Sequence, residues 1–246
     1  AYEIRPRDWS SDVCSSDLQW SQLILLAVLV VVYVFNIKFL PLRTEGVTKV
    51  LTIIIPFLNL VLAGFVLASI AARFIFPAVS LEGRTLWLLR SSPMRMRDLL
   101  WAKFWVGTTP LLVLALIIVG ITDFLLQVPP FMFAVSLLTI TGLTFAVCGL
   151  AIGFGTIFPQ FETENAAQIP TSFGGLLYMM SSVAVIGGVV ILEARPVAGY
   201  GAARLYNAET SPGEMILWFS LAAAVCVAAT VLPIREALRR LEKVER

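Results

Sequence analysis

Histidine is absent from this chain, and that gap removes His-ligated metal sites, Ser-His triads and imidazole proton relays together. Charge is scarce as well. Only 14% of the 246 residues are Asp, Glu, Lys or Arg, where a soluble domain carries about a quarter. No Gly-x-x-x-x-Gly-Lys-Ser/Thr phosphate loop occurs in the sequence. Cysteine is limited to three residues; Cys148 and Cys226 sit in apolar runs, where they read as small buried hydrophobes. What is abundant is apolar surface: 59% of the residues are hydrophobic and the mean hydropathy is +0.89. That is the composition of an integral membrane protein.

The third cysteine, Cys14, lies in an unusual run. Asp8 to Leu18 reads Asp-Trp-Ser-Ser-Asp-Val-Cys-Ser-Ser-Asp-Leu, which resembles one reading frame of a short-read sequencing adapter translated into protein. Residues 1–18 are therefore set apart as a non-native leader, with the native sequence expected to start near Gln19. Cys14, Asp8, Asp12 and Asp17 are given no role. Residues 19–246 form the membrane domain, and the chain is expected to be a fragment.

A spanning helix needs about 20 mostly apolar residues, and six segments approach that length: Trp20–Leu40, Val50–Ala72, Phe104–Ile121, Phe131–Ile157, Phe173–Leu192 and Met215–Leu232. The fold expected is all-α, a polytopic membrane bundle of about six transmembrane helices. Pro56 and Pro110 are expected to kink spans two and three, and the fourth span to tilt or break near Gly153 and Gly155. Loop Lys and Arg set the orientation. With the native N-terminus inside, the cytoplasmic side carries Arg73, Arg84, Arg90, Arg95, Arg97 and Lys103, joined by Arg235, Arg239, Arg240, Lys243 and Arg246 of the tail. The outer side holds only Lys38, Arg43, Lys49, Arg195 and Arg204. Both native ends are therefore expected to be cytoplasmic.

No charged residue falls in the middle of a span so defined. Asn59 reads as an interhelical hydrogen-bonding residue, Asp123 as an interfacial one, and Glu162 and Glu164 as loop acids. Ion-coupled carriers place acids at membrane depth, so the pattern disfavours a secondary transporter, although carrier sites built of unwound backbone need no charge. An intramembrane enzyme is disfavoured for want of His and paired carboxylates. Gly149 and Gly153 form a Gly-x-x-x-Gly pair with Gly142 on roughly the same face, and Gly187, Gly188 and Ala222–Ala224 offer similar small surfaces for helix packing.

The most informative stretch is Ser80 to Lys103, which sets five basic residues, Arg84, Arg90, Arg95, Arg97 and Lys103, between two apolar spans. Ser80 reads as a helix N-cap with Glu82 in the first turn, where the dipole favours an anion. Leu81, Leu86, Leu88 and Leu89 give the helix a broad apolar side. Ser92-Pro93 stops it and starts a second helix, Ser at the N-cap and Pro at the first position. That helix has Met96, Leu99 and Leu100 on one side, with Arg95, Arg97 and Asp98 on the other. An interfacial amphipathic helix on lipid headgroups would have the same composition.

Glu82-Gly83, Leu88-Leu89, Ser92-Pro93, Leu99-Leu100 and Lys103 resemble the loop between spans two and three of type-2 ATP-binding-cassette (ABC) exporter permeases. Phe158-Pro-Gln-Phe-Glu-Thr-Glu-Asn-Ala-Ala-Gln-Ile-Pro, followed by Ser172-Phe-Gly-Gly, is similar to a subset of those exporters. The resemblance implies a plasma-membrane permease subunit of a prokaryotic exporter, driven by a separate ATPase that holds ATP and Mg. Glu82, Gly83, Arg84, Leu88, Leu89 and Arg90 would form a coupling helix docked on that ATPase, and Ser92 and Pro93 a hinge. Arg95, Arg97 and Lys103 would lie at the cytoplasmic interface. A second permease half or a second copy of the chain, and lipid, are the other partners implied; nucleic acid is not. With no phosphate loop, the chain is expected to be a transport subunit and not an enzyme, holding no metal and no cofactor of its own. The alternative is a secondary transporter or a structural membrane subunit without an ATPase partner.

Overall fold

The computed structural model describes residues 48–82, 96–160, 166–206 and 212–244; the leader and the first expected span lie outside them. Among the described residues there are five α-helices: α1 (Thr48–Phe74), α2 (Met96–Leu125), α3 (Pro130–Ile157), α4 (Phe173–Tyr206) and α5 (Pro212–Val244). Short 3-10 turns occupy Phe76–Ala78, Ser80–Glu82 and Ala166–Thr171, and no strand is present among the described residues. All five helices are long and apolar enough to cross a membrane. The shortest, α1, has 27 residues, which at 1.5 Å per residue makes about 40 Å against a hydrocarbon core of about 30 Å.

Helix is the conformation that satisfies its own backbone where water is absent, and the hydroxyl side chains follow the same economy. Ser69 donates to the Phe65 carbonyl at 3.0 Å, Thr144 to Ile140 at 2.7 Å and Thr156 to Ile152 at 2.7 Å. Each bond reaches back four residues, so the hydroxyl is paired within its own helix and can lie in an apolar layer.

α3 is the centre of the bundle, touching α1, α2, α4 and α5, with its stretch from Ala146 to Gly153 buried throughout. It runs unbroken past Gly153 and Gly155, so of the tilt or break expected there the break does not occur. Those glycines serve close approach instead. A Cβ on Gly149 would stand 2.7 Å from the Thr230 Cα of α5, and one on Gly153 would collide with Pro233 of α5, coming within 2.9 Å of its carbonyl carbon. Gly142 is looser, 3.4 Å from the Cys226 sulfur. Gly187 and Gly188, expected to pack similarly, have nothing within 4 Å of an added Cβ. Across the bundle, the buried Tyr178 of α4 donates its hydroxyl to the Ala68 carbonyl of α1 at 3.0 Å.

The second amphipathic segment runs through Trp101 and Lys103 into span three as one helix, as its sequence implies, with Leu100 buried and Arg97 and Asp98 exposed. α4 continues past Leu192 to Tyr206, carrying Pro196 inside it.

Candidate functional site

Two places gather the polar chemistry of the described residues. The first is the base of the loop between α1 and α2. Pro77 cannot donate to a helical ladder, and α1 gives way to the Phe76–Ala78 turn. Phe76 is fully buried, with its ring 5.8 Å from that of Tyr178. Gly155 of α3 leaves space for the Phe76 carbonyl, which lies where a Cβ would push it away. The Lys103 ammonium of α2 donates to the Ala78 carbonyl, one of the acceptors a helix end leaves over.

The Gln160 backbone N–H, just past α3, donates to the Ser80 hydroxyl at 3.2 Å. Ser80 therefore does not open an α-helix as expected: it starts the Ser80–Glu82 3-10 turn, and its oxygen is spent on the loop after α3. These contacts join the ends of α1, α2, α3 and α4 around the point where the loop departs. Glu82 closes the second turn, Lys103 braces the first through the Ala78 carbonyl, and Arg97 stands exposed nearer the start of α2. Gly83, Arg84, Leu88, Leu89, Arg90, Ser92, Pro93 and Arg95 lie outside the described residues.

The second place is a cavity of about 500 Å³ lined from α2, α3, α4 and α5. Phe104, Trp105 and Phe145 form an aromatic wall, their ring centroids 5.8 to 6.3 Å apart; Phe219 lines the α5 side. Glu193 of α4 also lines it and is 4% exposed. The Thr139 hydroxyl of α3 donates to Glu193 Oε1 at 2.7 Å, and Oε2 has no hydrogen-bond partner among the described residues. Three residues before Thr139, on the same side of α3, Ser136 stands beside Asp123 of α2, which is 1% exposed. Two enclosed acids thus meet successive positions of one helix.

Glu193 corrects the sequence reading: it is a carboxylate inside an apolar helix where no span was expected to hold one. Asp123, near the end of α2, is enclosed by protein. Glu193 was passed over because the fifth span was ended at Leu192. The signal was there: Tyr178, Ser182, Ile186, Val189 and Glu193 follow helical spacing, and all five are buried.

A family model described as "Putative ATP-binding cassette" matches residues 14–246. The chain belongs to this ATP-binding-cassette family. No curated protein and no solved structure matches it. Membership places the chain in an ABC system and corrects one expectation. A family described as an ATP-binding cassette points to nucleotide binding and hydrolysis, which overturns the reading of the chain as no enzyme and without a nucleotide-binding motif. That reading rested on one short pattern, and backbone N–H nests of other sequence also cradle phosphate.

Proposed function

We propose that the chain is the membrane-spanning permease part of an ATP-driven ABC transporter of the exporter type. The observation that carries this is the set of five helices, each long and apolar enough to cross a bilayer, within a match that covers nearly the whole chain. Residues 19–246 form the permease domain, in a prokaryotic plasma membrane with both native ends cytoplasmic. Glu82, Gly83, Arg84, Leu88, Leu89 and Arg90 dock on an ATPase, with Ser92 and Pro93 as the hinge to α2 and Arg95, Arg97 and Lys103 at the cytoplasmic interface. A second permease half or a second copy completes the pathway. The tied helix ends at Phe76–Ala78 support this reading, because a push on the loop meets α1, α2 and α3 together.

The test is nucleotide-dependent association. The full chain, extracted from its native membrane under ATP–vanadate trapping, retains an ABC ATPase, and the pair moves cargo in proteoliposomes only with ATP. No ATPase retained under trapping, or cargo moved equally well without ATP, would overturn this reading.

A further inference from the structure

We infer that the cavity between α2, α3, α4 and α5 binds a lipophilic cation, an amphipath with an ammonium or phosphonium centre in an apolar body, and that Glu193 is its counter-ion. The volume of about 500 Å³ falls within the range of sites that enclose small organic ligands. Its walls are apolar and aromatic, and Glu193 is the single charged side chain among the lining residues described.

The threonine hydroxyls of the lining are already committed. Thr141 donates to the Leu137 carbonyl at 2.7 Å and Thr230 to Cys226 at 2.8 Å, each within its own helix. Thr139 is spent on Glu193 Oε1, which leaves Oε2 as the unpaired acceptor. The nearest basic residue along α4, Arg195, is exposed, with its guanidinium over the Trp218 ring at 5.1 Å. A carboxylate at membrane depth is costly without a partner, and among the described residues a hydroxyl and no cation pairs with it.

The surroundings select the rest of the ligand. Aromatic rings attract a cation as well as an apolar body, and Phe104, Trp105 and Phe145 line the same cavity as the acid. Trp105, Leu138, Val227 and Val231 line the cavity and are also exposed on the apolar flank of the bundle. The mouth therefore opens toward hydrocarbon, where a lipophilic cation partitions and a hydrophilic one does not. As a binding site this stands on geometry; as the cargo site of a transporter it rests on the permease reading above.

The experiment uses the full chain in nanodiscs, without nucleotide, and equilibrium dialysis of radiolabelled tetraphenylphosphonium, with empty nanodiscs as background. Tetraphenylborate, the same shape with opposite charge, is the control. Saturable binding of the cation is expected, weakened roughly ten-fold or more by Glu193→Gln, which removes the buried charge from the pair. Ala223→Phe, which fills the cavity from its exposed α5 wall and leaves Glu193 intact, should weaken it comparably. Binding equal in wild type and Glu193→Gln, no saturable binding, or tetraphenylborate bound as well as the cation would each overturn the inference. The last outcome would leave a plain apolar groove for lipid or another helix. Saturable binding without ATP-driven movement would strike the permease reading and leave the site standing. ATP-driven movement of other cargo with no cation binding would do the reverse.

Discussion

Replacing Gly149 by Ala sets two opposed effects against each other at the α3–α5 crossing. Ala is the better helix former by about 1 kcal/mol in a helix interior, so propensity alone predicts stabilisation. The added Cβ would lie 2.7 Å from the Thr230 Cα and 2.9 Å from its carbonyl oxygen. Comfortable carbon contact begins near 3.5 Å, so α5 must retreat by about 1 Å. Both obstructing atoms are backbone and cannot rotate aside. Overpacking of this kind costs about 1–3 kcal/mol, and the retreat also loosens Gly153 against Pro233 and Gly142 against Cys226. The clash outweighs the propensity gain, and the net loss should reach about 2 kcal/mol.

Gly187→Ala is the paired control, since its Cβ meets nothing within 4 Å and keeps the propensity gain. Detergent-solubilised protein, heated and scored by the fraction that stays monodisperse, should rank Gly187→Ala at or above wild type. Gly149→Ala should fall several degrees below, at about 2–4 °C per kcal/mol for a chain of this size. The ranking is compared at one scan rate, because such unfolding is often irreversible. Gly149→Ala matching or exceeding Gly187→Ala would refute the close-approach argument.

Three further outcomes follow from single contacts. Tyr178→Phe keeps the ring against Phe76 and loses the bond to the Ala68 carbonyl, so it should cost about 1 kcal/mol, read as a fall in melting temperature. Lys103→Met removes the ammonium from the Ala78 carbonyl; a charged hydrogen bond is worth about 1.5–3 kcal/mol. Because Lys103 is half-buried, solvent should reduce that to about 1 kcal/mol, again checked by melting. On the permease proposal, Glu82→Ala and Leu86→Pro should each lower ATP-driven transport by about five-fold or more with melting unchanged. Wild-type transport in both would remove the docking role from this loop.

Much of the bundle was legible in the sequence, and the misses share a cause. Long apolar runs report where a helix crosses hydrocarbon, so α1 to α5 coincide with five of the expected segments. The Gly-x-x-x-Gly pair was visible because close approach demands small residues. Runs of hydropathy say less about where a helix ends. The fifth span was ended at the first acid, whereas helical spacing continues through Glu193 and its burial is decided by α3 and α5. Gly187 and Gly188 carried the same local signal as Gly149 and Gly153. Only the position of the neighbouring helix separates them. Ser80 shows the opposite error: a sound N-cap residue is used by Gln160, eighty residues away in sequence, and no local pattern announces that.

Whether Glu193 belongs to folding or to a ligand can be decided by removing both members of its pair. Thr139→Val alone preserves shape and leaves Oε1 without its donor, which should cost about 1–3 kcal/mol. Glu193→Leu alone removes a carboxylate from an apolar wall and leaves the Thr139 hydroxyl to turn to its own helix, as Thr141 does. The double variant Thr139→Val/Glu193→Leu leaves no polar group unpaired at this point. Replacing a buried polar pair by apolar groups of similar shape is commonly neutral or stabilising. The double variant should therefore melt at or above wild type while losing tetraphenylphosphonium binding. Stability lost along with binding would mark the pair as structural and remove the anchor of the cavity. Stability kept and binding lost would mean that the bundle folds equally well without this acid, so that ligand recognition is what the carboxylate is for.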